Sequence, residues 1–143
     1  LSSVQDSPTL LAWLTDIKEV SDDEATRFGV LLIFWWLQER NSPKNLFFFL
    51  HEYKKQLDRS NDPLGQLLAE MVAAQKLNSR PHPIYGAYII GRHWYFVLLE
   101  GKSYAESLAY DATKDDIMQI VGILHHTQIL IDRIIRDDVR NIS

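Results

Sequence analysis

A layered α/β or α+β domain, with a mixed central sheet flanked by helices, is the fold class this sequence predicts. Three observations carry it. Apolar segments of helical period interleave with short apolar runs of strand type, capping residues mark the helix starts, and Gly-Arg and Gly-Lys pairs separate the later strand runs. The order reads α-α-β-α-β-β-β-α. The chain has 143 residues, 46% apolar and 24% charged, and reads as one domain over 1–143. At this length roughly 68–70% of the unfolded surface can be buried, enough for a core without disulfides or a structural metal.

The first helix spans about Thr9 to Val20, with Leu10, Leu14 and Ile17 at helical spacing. Ser21-Asp22-Asp23-Glu24 has the form of a capping box, in which the Ser21 hydroxyl and the Glu24 carboxylate satisfy amide donors at a helix start. A helix from about Asp22 to Glu39 follows. Phe28, Leu31, Leu32, Trp35 and Trp36 share a face, and Val30, Ile33, Phe34 and Leu37 make it apolar nearly all round, as expected of a helix covered on several sides. Asn45 to Lys54 is short and aromatic, so it reads as a strand that is apolar on both faces at first and polar at its end.

Asp62-Pro63 places a capping side chain before a proline at the first helical position. It opens an amphipathic helix to about Leu77, with Leu64, Leu67, Leu68, Met71 and Val72 inward. Ile84–Ile90, His93–Glu100 and Tyr104–Tyr110 read as strands, the first two forming an antiparallel hairpin across Gly91-Arg92. Thr113, with Asp116 three residues on, caps a last helix through about Arg136, whose stripe is Ile117, Val121, Leu124, Ile131 and Ile135. This helix and Asp22–Glu39 are expected to pack on the sheet, because their apolar stripes otherwise lack a partner.

Cysteine is absent, which excludes thiolate metal sites and a disulfide-stapled scaffold. The longest wholly apolar run, Val30 to Leu37, falls far short of the ~20 residues that cross a bilayer, so a soluble, cytoplasmic protein is expected with no membrane partner. Leu1 in place of Met, with no basic stretch leading into an apolar one, fits neither a signal peptide nor a translation start, and reads as a fragment or ordered subset. The net charge of -4 argues against strong nonspecific nucleic-acid binding, although a local patch can act inside an acidic protein.

The most informative segment is the strand end. Residues two apart on a strand share a face, so Phe48, Leu50, Glu52 and Lys54 point one way and bring a carboxylate and an amine to the sheet edge. In phosphodiester hydrolysis a carboxylate holds Mg²⁺ through oxygen, while a lysine orients or activates the attacking water and offsets developing negative charge. By itself Glu-x-Lys equally suits an ordinary strand-end ion pair.

His51-Glu-Tyr-Lys54 at a strand end, a helix closing in Ala73-Ala-Gln75, and the run from Pro83 to Val97 together resemble the restriction-endonuclease-like superfamily of PD-(D/E)XK nucleases. The chain is most similar to small bacterial proteins related to the nuclease region of type I restriction enzyme motor subunits. The likeness covers roughly Ser21 to Ile135 on short, degenerate motifs. It implies a restriction-endonuclease-like fold, Mg²⁺-dependent hydrolysis of DNA with Mn²⁺ as an alternative ion, and membership of an oligomer or a larger restriction-type assembly. By the same resemblance Glu52 and Lys54 are the acidic and lysine members of the motif, Gln75 is the helix glutamine that lines the site, and Glu24 is a first-helix acid that contributes to metal binding.

One departure stands out. The superfamily places a metal-binding Asp on a strand before the Glu-x-Lys strand, yet only Arg40 to Lys44 separates that strand from the preceding helix. Either an early hairpin is missing, or Asp22, Asp23 or Glu24 substitutes, or the site is incomplete. The last case makes the chain a catalytically inactive nuclease-fold module acting in nucleic-acid or protein binding.

Other polar features point elsewhere. His125 and His126 are helix neighbours about 100° apart and do not chelate easily, and His51 falls on the strand face opposite Glu52. Lys44, Lys54, Lys55, Arg59, Arg80, His82, Arg92 and His93 form a basic rim near Trp94 that reads as a solvated face or a phosphate contact. No Gly-rich phosphate loop, Ser nucleophile elbow or zinc motif is present.

Overall fold

A computed structural model describes residues 1–16, 48–53, 62–78 and 81–142. Its elements run β1 (Ser2–Ser3), α1 (Pro8–Thr15), β2 (Phe48–Tyr53), α2 (Pro63–Leu77), β3 (Ile84–Ile90), β4 (His93–Glu100), β5 (Ser103–Glu106), β6 (Tyr110–Asp111) and α3 (Asp116–Ile142). The helix predicted over Asp22–Glu39, and with it Glu24, lies outside the described residues, as does Lys54.

Local chemistry sets the helix starts. Ser7 accepts the Leu10 N–H at 3.1 Å before Pro8, and the Asp62 carboxylate accepts the Gly65 N–H at 2.9 Å before Pro63. The first helix leaves helical geometry at Asp16, short of the predicted end at Val20. At the last helix the predicted cap does not form. Thr113 instead turns its hydroxyl back onto Asp111 Oδ1 (2.7 Å), and α3 starts at Asp116 and continues to Ile142, beyond the expected Arg136.

The strands make one mixed sheet in the order β1-β5-β4-β3-β2, with β6 also on β4. β3 and β4 pair antiparallel from Ile84↔Leu99 to Ile90↔His93, the hairpin expected from the sequence. Both tight turns place glycine first with positive φ, 59° at Gly91 and 62° at Gly101, and among the described residues no other type has positive φ, the pattern of type II′ connections. β2 joins β3 in parallel through the crossover helix α2, so α2 runs back along the sheet from the end of β2 to the start of β3.

The predicted third strand, Tyr104–Tyr110, is broken in two. β5 pairs β4 up to Val97↔Glu106, and β6 resumes at Trp94↔Tyr110, so Tyr95 and Phe96 face the three residues Ser107 to Ala109 across a β-bulge. Ser107 holds it: its N–H donates to Phe96 O (2.8 Å), its Oγ accepts the Phe96 N–H (2.9 Å), and its hydroxyl donates to Leu108 O (2.8 Å). The extra residue resets the register. Without it Tyr110 would face His93; with it Tyr110 faces Trp94 and joins Phe96 ring to edge (5.5 Å), while Asp111 lies opposite His93.

Helices cover both faces. On one, Leu67, Leu68 and Met71 of α2 pack on Ile84, Tyr88, Val97 and Leu99, with Leu64 and Val72 at the margin, the stripe expected. A side chain at Gly86 would bring its Cβ to 3.1 Å from Met71 Sδ and 3.2 Å from Leu67, so glycine there lets α2 sit close. On the other face, Leu10 and Trp13 of α1 and Ile120, Ile123 and Ile131 of α3 pack on Tyr85, Ala87, Phe96 and Leu98. Leu124 of the predicted stripe packs against this core, but Ile117 and Ile135 are exposed and Ile120, Ile123 and Thr127 take the buried face instead. Trp13 Nε1 donates to Thr127 Oγ1 (2.8 Å) and His126 Nδ1 donates to Trp13 O (2.8 Å), which fasten α1 to α3. Among the described residues no helix is long and apolar enough to cross a membrane.

Candidate functional site

The parallel strands β2 and β3 end together at Tyr53↔Ile90, and Glu52 lies one residue before that end, opposite Ile89. In sheets with parallel strands and crossover helices, ligands are taken at the carboxyl ends of such strands, where backbone and side chains fan outward. The Gly91-Arg92 turn continues directly from Ile90, so Arg92 and His93 belong to this same end.

Asp111 organises that turn. Its Oδ1 accepts from Thr113 N–H (3.0 Å) and from the Thr113 hydroxyl, while its Oδ2 faces Arg92 Nε at 3.2 Å, His93 Nε2 at 3.9 Å and Lys114 Nζ at 4.0 Å. The two Thr113 hydrogen bonds, then the Arg92 and His93 charges, hold the Asp111 carboxyl below its ordinary range. Asp116 accepts the Asp111 N–H at 2.9 Å and closes the loop. Arg92 and His93 are thus the members of the predicted basic rim that stand at the Glu52 end, and a carboxylate already engages them; Lys44, Lys54, Lys55, Arg59 and Arg80 lie outside the described residues.

Gln75 is not brought to Glu52. It sits near the C-terminus of α2, where its Nε2 donates to Gly101 O at 2.9 Å across to the β4–β5 turn. That turn adjoins the start of β3, and the five steps from Ile84 to Ile89 span about 17 Å along the strand. The antiparallel course of α2 against β2 is the cause: late helix residues return to the far end of the sheet. Gln66, which spacing alone did not single out, lies in the first turn of α2 and therefore at the Glu52 end. The signal for it was its place just after the Asp62-Pro63 cap.

His51, next to Glu52 in sequence, meets Glu70 of α2 at 2.8 Å, as expected of a residue facing the α2 side of the sheet. His126 serves the α1–α3 contact. Tyr88 donates to Glu106 and stacks on Tyr95 (4.7 Å, 8° between planes); burial and then that hydrogen bond push its phenol far above its ordinary range. Among the described residues no three His, Cys, Asp or Glu side chains gather as a metal would require. No protein-family model, curated protein or solved structure matches this chain.

Proposed function

We propose that this chain is a metal-dependent deoxyribonuclease of the restriction-endonuclease-like kind, acting at the carboxyl end of β2 and β3. The observation that carries the reading is Glu52 one residue before the end of a parallel strand pair, with Lys54 two residues on in the sequence and the Arg92 turn, paired with Asp111, alongside. A DNA backbone is a convex rod, and a sheet edge meets it better than a closed pocket does.

In this reading Glu52 is an oxygen donor for Mg²⁺ or Mn²⁺, with Glu24 as a second donor. When bound, such an ion polarises the scissile phosphate and lowers the pKa of its water. Lys54 positions the attacking water and offsets negative charge as it develops. Gln75, tied to Gly101, is a structural residue of the opposite end.

Cleavage of single- and double-stranded DNA with Mg²⁺ or Mn²⁺ tests the reading. Glu52→Gln is expected to reduce the rate by orders of magnitude while keeping the side-chain shape, and Lys54→Ala to reduce it with less effect on metal affinity. Full activity in Glu52→Gln, or no cleavage by the wild type with either ion, refutes it and leaves the inactive binding module.

A further inference from the structure

Two cations at the β3–β4 turn, Arg92 and, from the β6–α3 loop, Lys114, have no part in the proposed hydrolysis. Both stand beside Asp111, whose Oδ2 is 3.2 Å from Arg92 Nε and 4.0 Å from Lys114 Nζ. Exposure separates the charges: the Arg92 and Lys114 side chains are 55% and 70% exposed, that of Asp111 11%. Thr113 takes Asp111 Oδ1, and Asp116, partly buried, gives its Oδ2 to the Asp111 N–H, so of the three loop carboxylates Asp115 alone is exposed with the cations. Asp111 also fixes Arg92. An arginine tethered at Nε beside a buried carboxylate has lost rotamer freedom before any ligand arrives. Its guanidinium carries five N–H donors in a rigid fork, and among the described residues nothing but Asp111 engages it, so the terminal nitrogens are left to face a phosphate, whose oxygens match that edge two at a time.

The sheet register fixes how far this lies from Glu52. Glu52, Ile89, Trp94 and Tyr110 form one cross-strand row over β2, β3, β4 and β6, and Asp111 is one residue past it. Three strand spacings are about 14 Å. Along one strand of a duplex the phosphates advance about 3.4 Å per nucleotide. We propose that Arg92, held by Asp111, binds a phosphate of the DNA strand about four nucleotides from the one cleaved at Glu52, and so sets the path of the duplex across the strand ends. The four-nucleotide distance rests on the nuclease reading; the phosphate contact does not. Arg92 is the binding residue and Asp111 its positioning residue. With Asp115 beside the two cations and a net charge of -4, this is one directed contact and not a broad positive field.

Fluorescence anisotropy of a labelled DNA duplex titrated with the whole chain, without divalent metal and over a series of salt concentrations, tests the contact. Arg92→Ala, on an exposed residue, is expected to weaken binding about tenfold whatever the sequence and to lower the slope of log affinity against log salt by about one. Arg92→Lys should restore the slope but only part of the affinity, because an ammonium keeps the charge and not the fork. Lys102→Ala, an exposed lysine at the opposite end of the sheet, should change neither. With Mg²⁺ present, a single uncharged methylphosphonate in the duplex should leave a gap in the cleavage ladder about four nucleotides to one side, and Arg92→Ala should erase that gap. Unchanged affinity and slope in Arg92→Ala, or an equal loss in Lys102→Ala, overturns the phosphate contact, and a ladder with no displaced gap overturns the distance. Failure of the nuclease reading is read separately, as absent cleavage or as full cleavage by Glu52→Gln, and leaves the metal-free binding result to stand by itself.

Discussion

Replacing Thr127 by Val tests the contact that docks α1 on α3. Trp13 and Thr127 are 1% and 2% exposed, the indole N–H donates to Thr127 Oγ1 at 2.8 Å, and the ring meets Tyr85 and Phe96 edge-on at 4.9 and 5.6 Å. Valine keeps the shape and removes the acceptor. The indole N–H is then buried unpaired, and the expected loss is about 1–3 kcal/mol. Trp13→Phe removes the donor and part of the ring, at some fraction of the ~3–5 kcal/mol that Trp→Ala removes. The double variant has neither partner, so its loss should fall short of the sum of the two by about 1 kcal/mol or more. Urea unfolding of the four proteins by circular dichroism reads the cycle, each ΔΔG taken from the shift in urea midpoint at constant slope. Losses that add within ~0.3–0.5 kcal/mol refute the claim that this hydrogen bond couples the helices.

Burial, then the Glu100 charge, push the Tyr85 phenol up to about 12. Its ionisation is resisted in the folded state, so this contribution to stability is complete below pH ~10 and is lost as pH rises toward the folded value; Tyr85→Phe should flatten that alkaline decline in urea midpoints. Asp111 has the opposite sign. Its lowered pKa contributes stability above the ordinary carboxylate range and loses it as pH falls through the folded value, so Asp111→Asn should be destabilised at neutral pH with a gap that closes as the pH drops below that range; a constant gap in urea midpoints contradicts the assignment. At Gly91, with φ at 59° and open space where a Cβ would stand, Ala should cost about 1 kcal/mol by backbone strain alone and Asn less, measured by thermal unfolding.

The parts of the fold that could be read from the chain were those with strong local chemistry. Asp62-Pro63 and Gly91-Arg92 each restrict the backbone at a single place, and α2 and the β3–β4 hairpin formed there. The bulge was hidden because Ser107, Leu108 and Ala109 carry no mark that separates them from a regular strand; the register shift exists only relative to β4. In α3 the apolar residues are so numerous, with Ile117, Ile120, Val121, Ile123 and Leu124 in two turns, that spacing did not decide the phase, and the contact with Tyr85 and Phe96 did. Glu52 and Gln75 are near in sequence and lie at opposite ends of the sheet, because the direction of a crossover helix is a property of the topology and not of residue spacing.

The central claim, that chemistry belongs to the carboxyl end of β2 and β3, is tested most directly by amide NMR of the protein titrated with Mn²⁺, a paramagnetic stand-in for Mg²⁺. Signals of Glu52 and of Ile90 to His93 should broaden first, those of Gln75 and Glu100 to Lys102 should stay sharp, and Glu52→Gln should abolish the effect. Broadening centred on the β4–β5 turn, or unchanged by Glu52→Gln, contradicts the account.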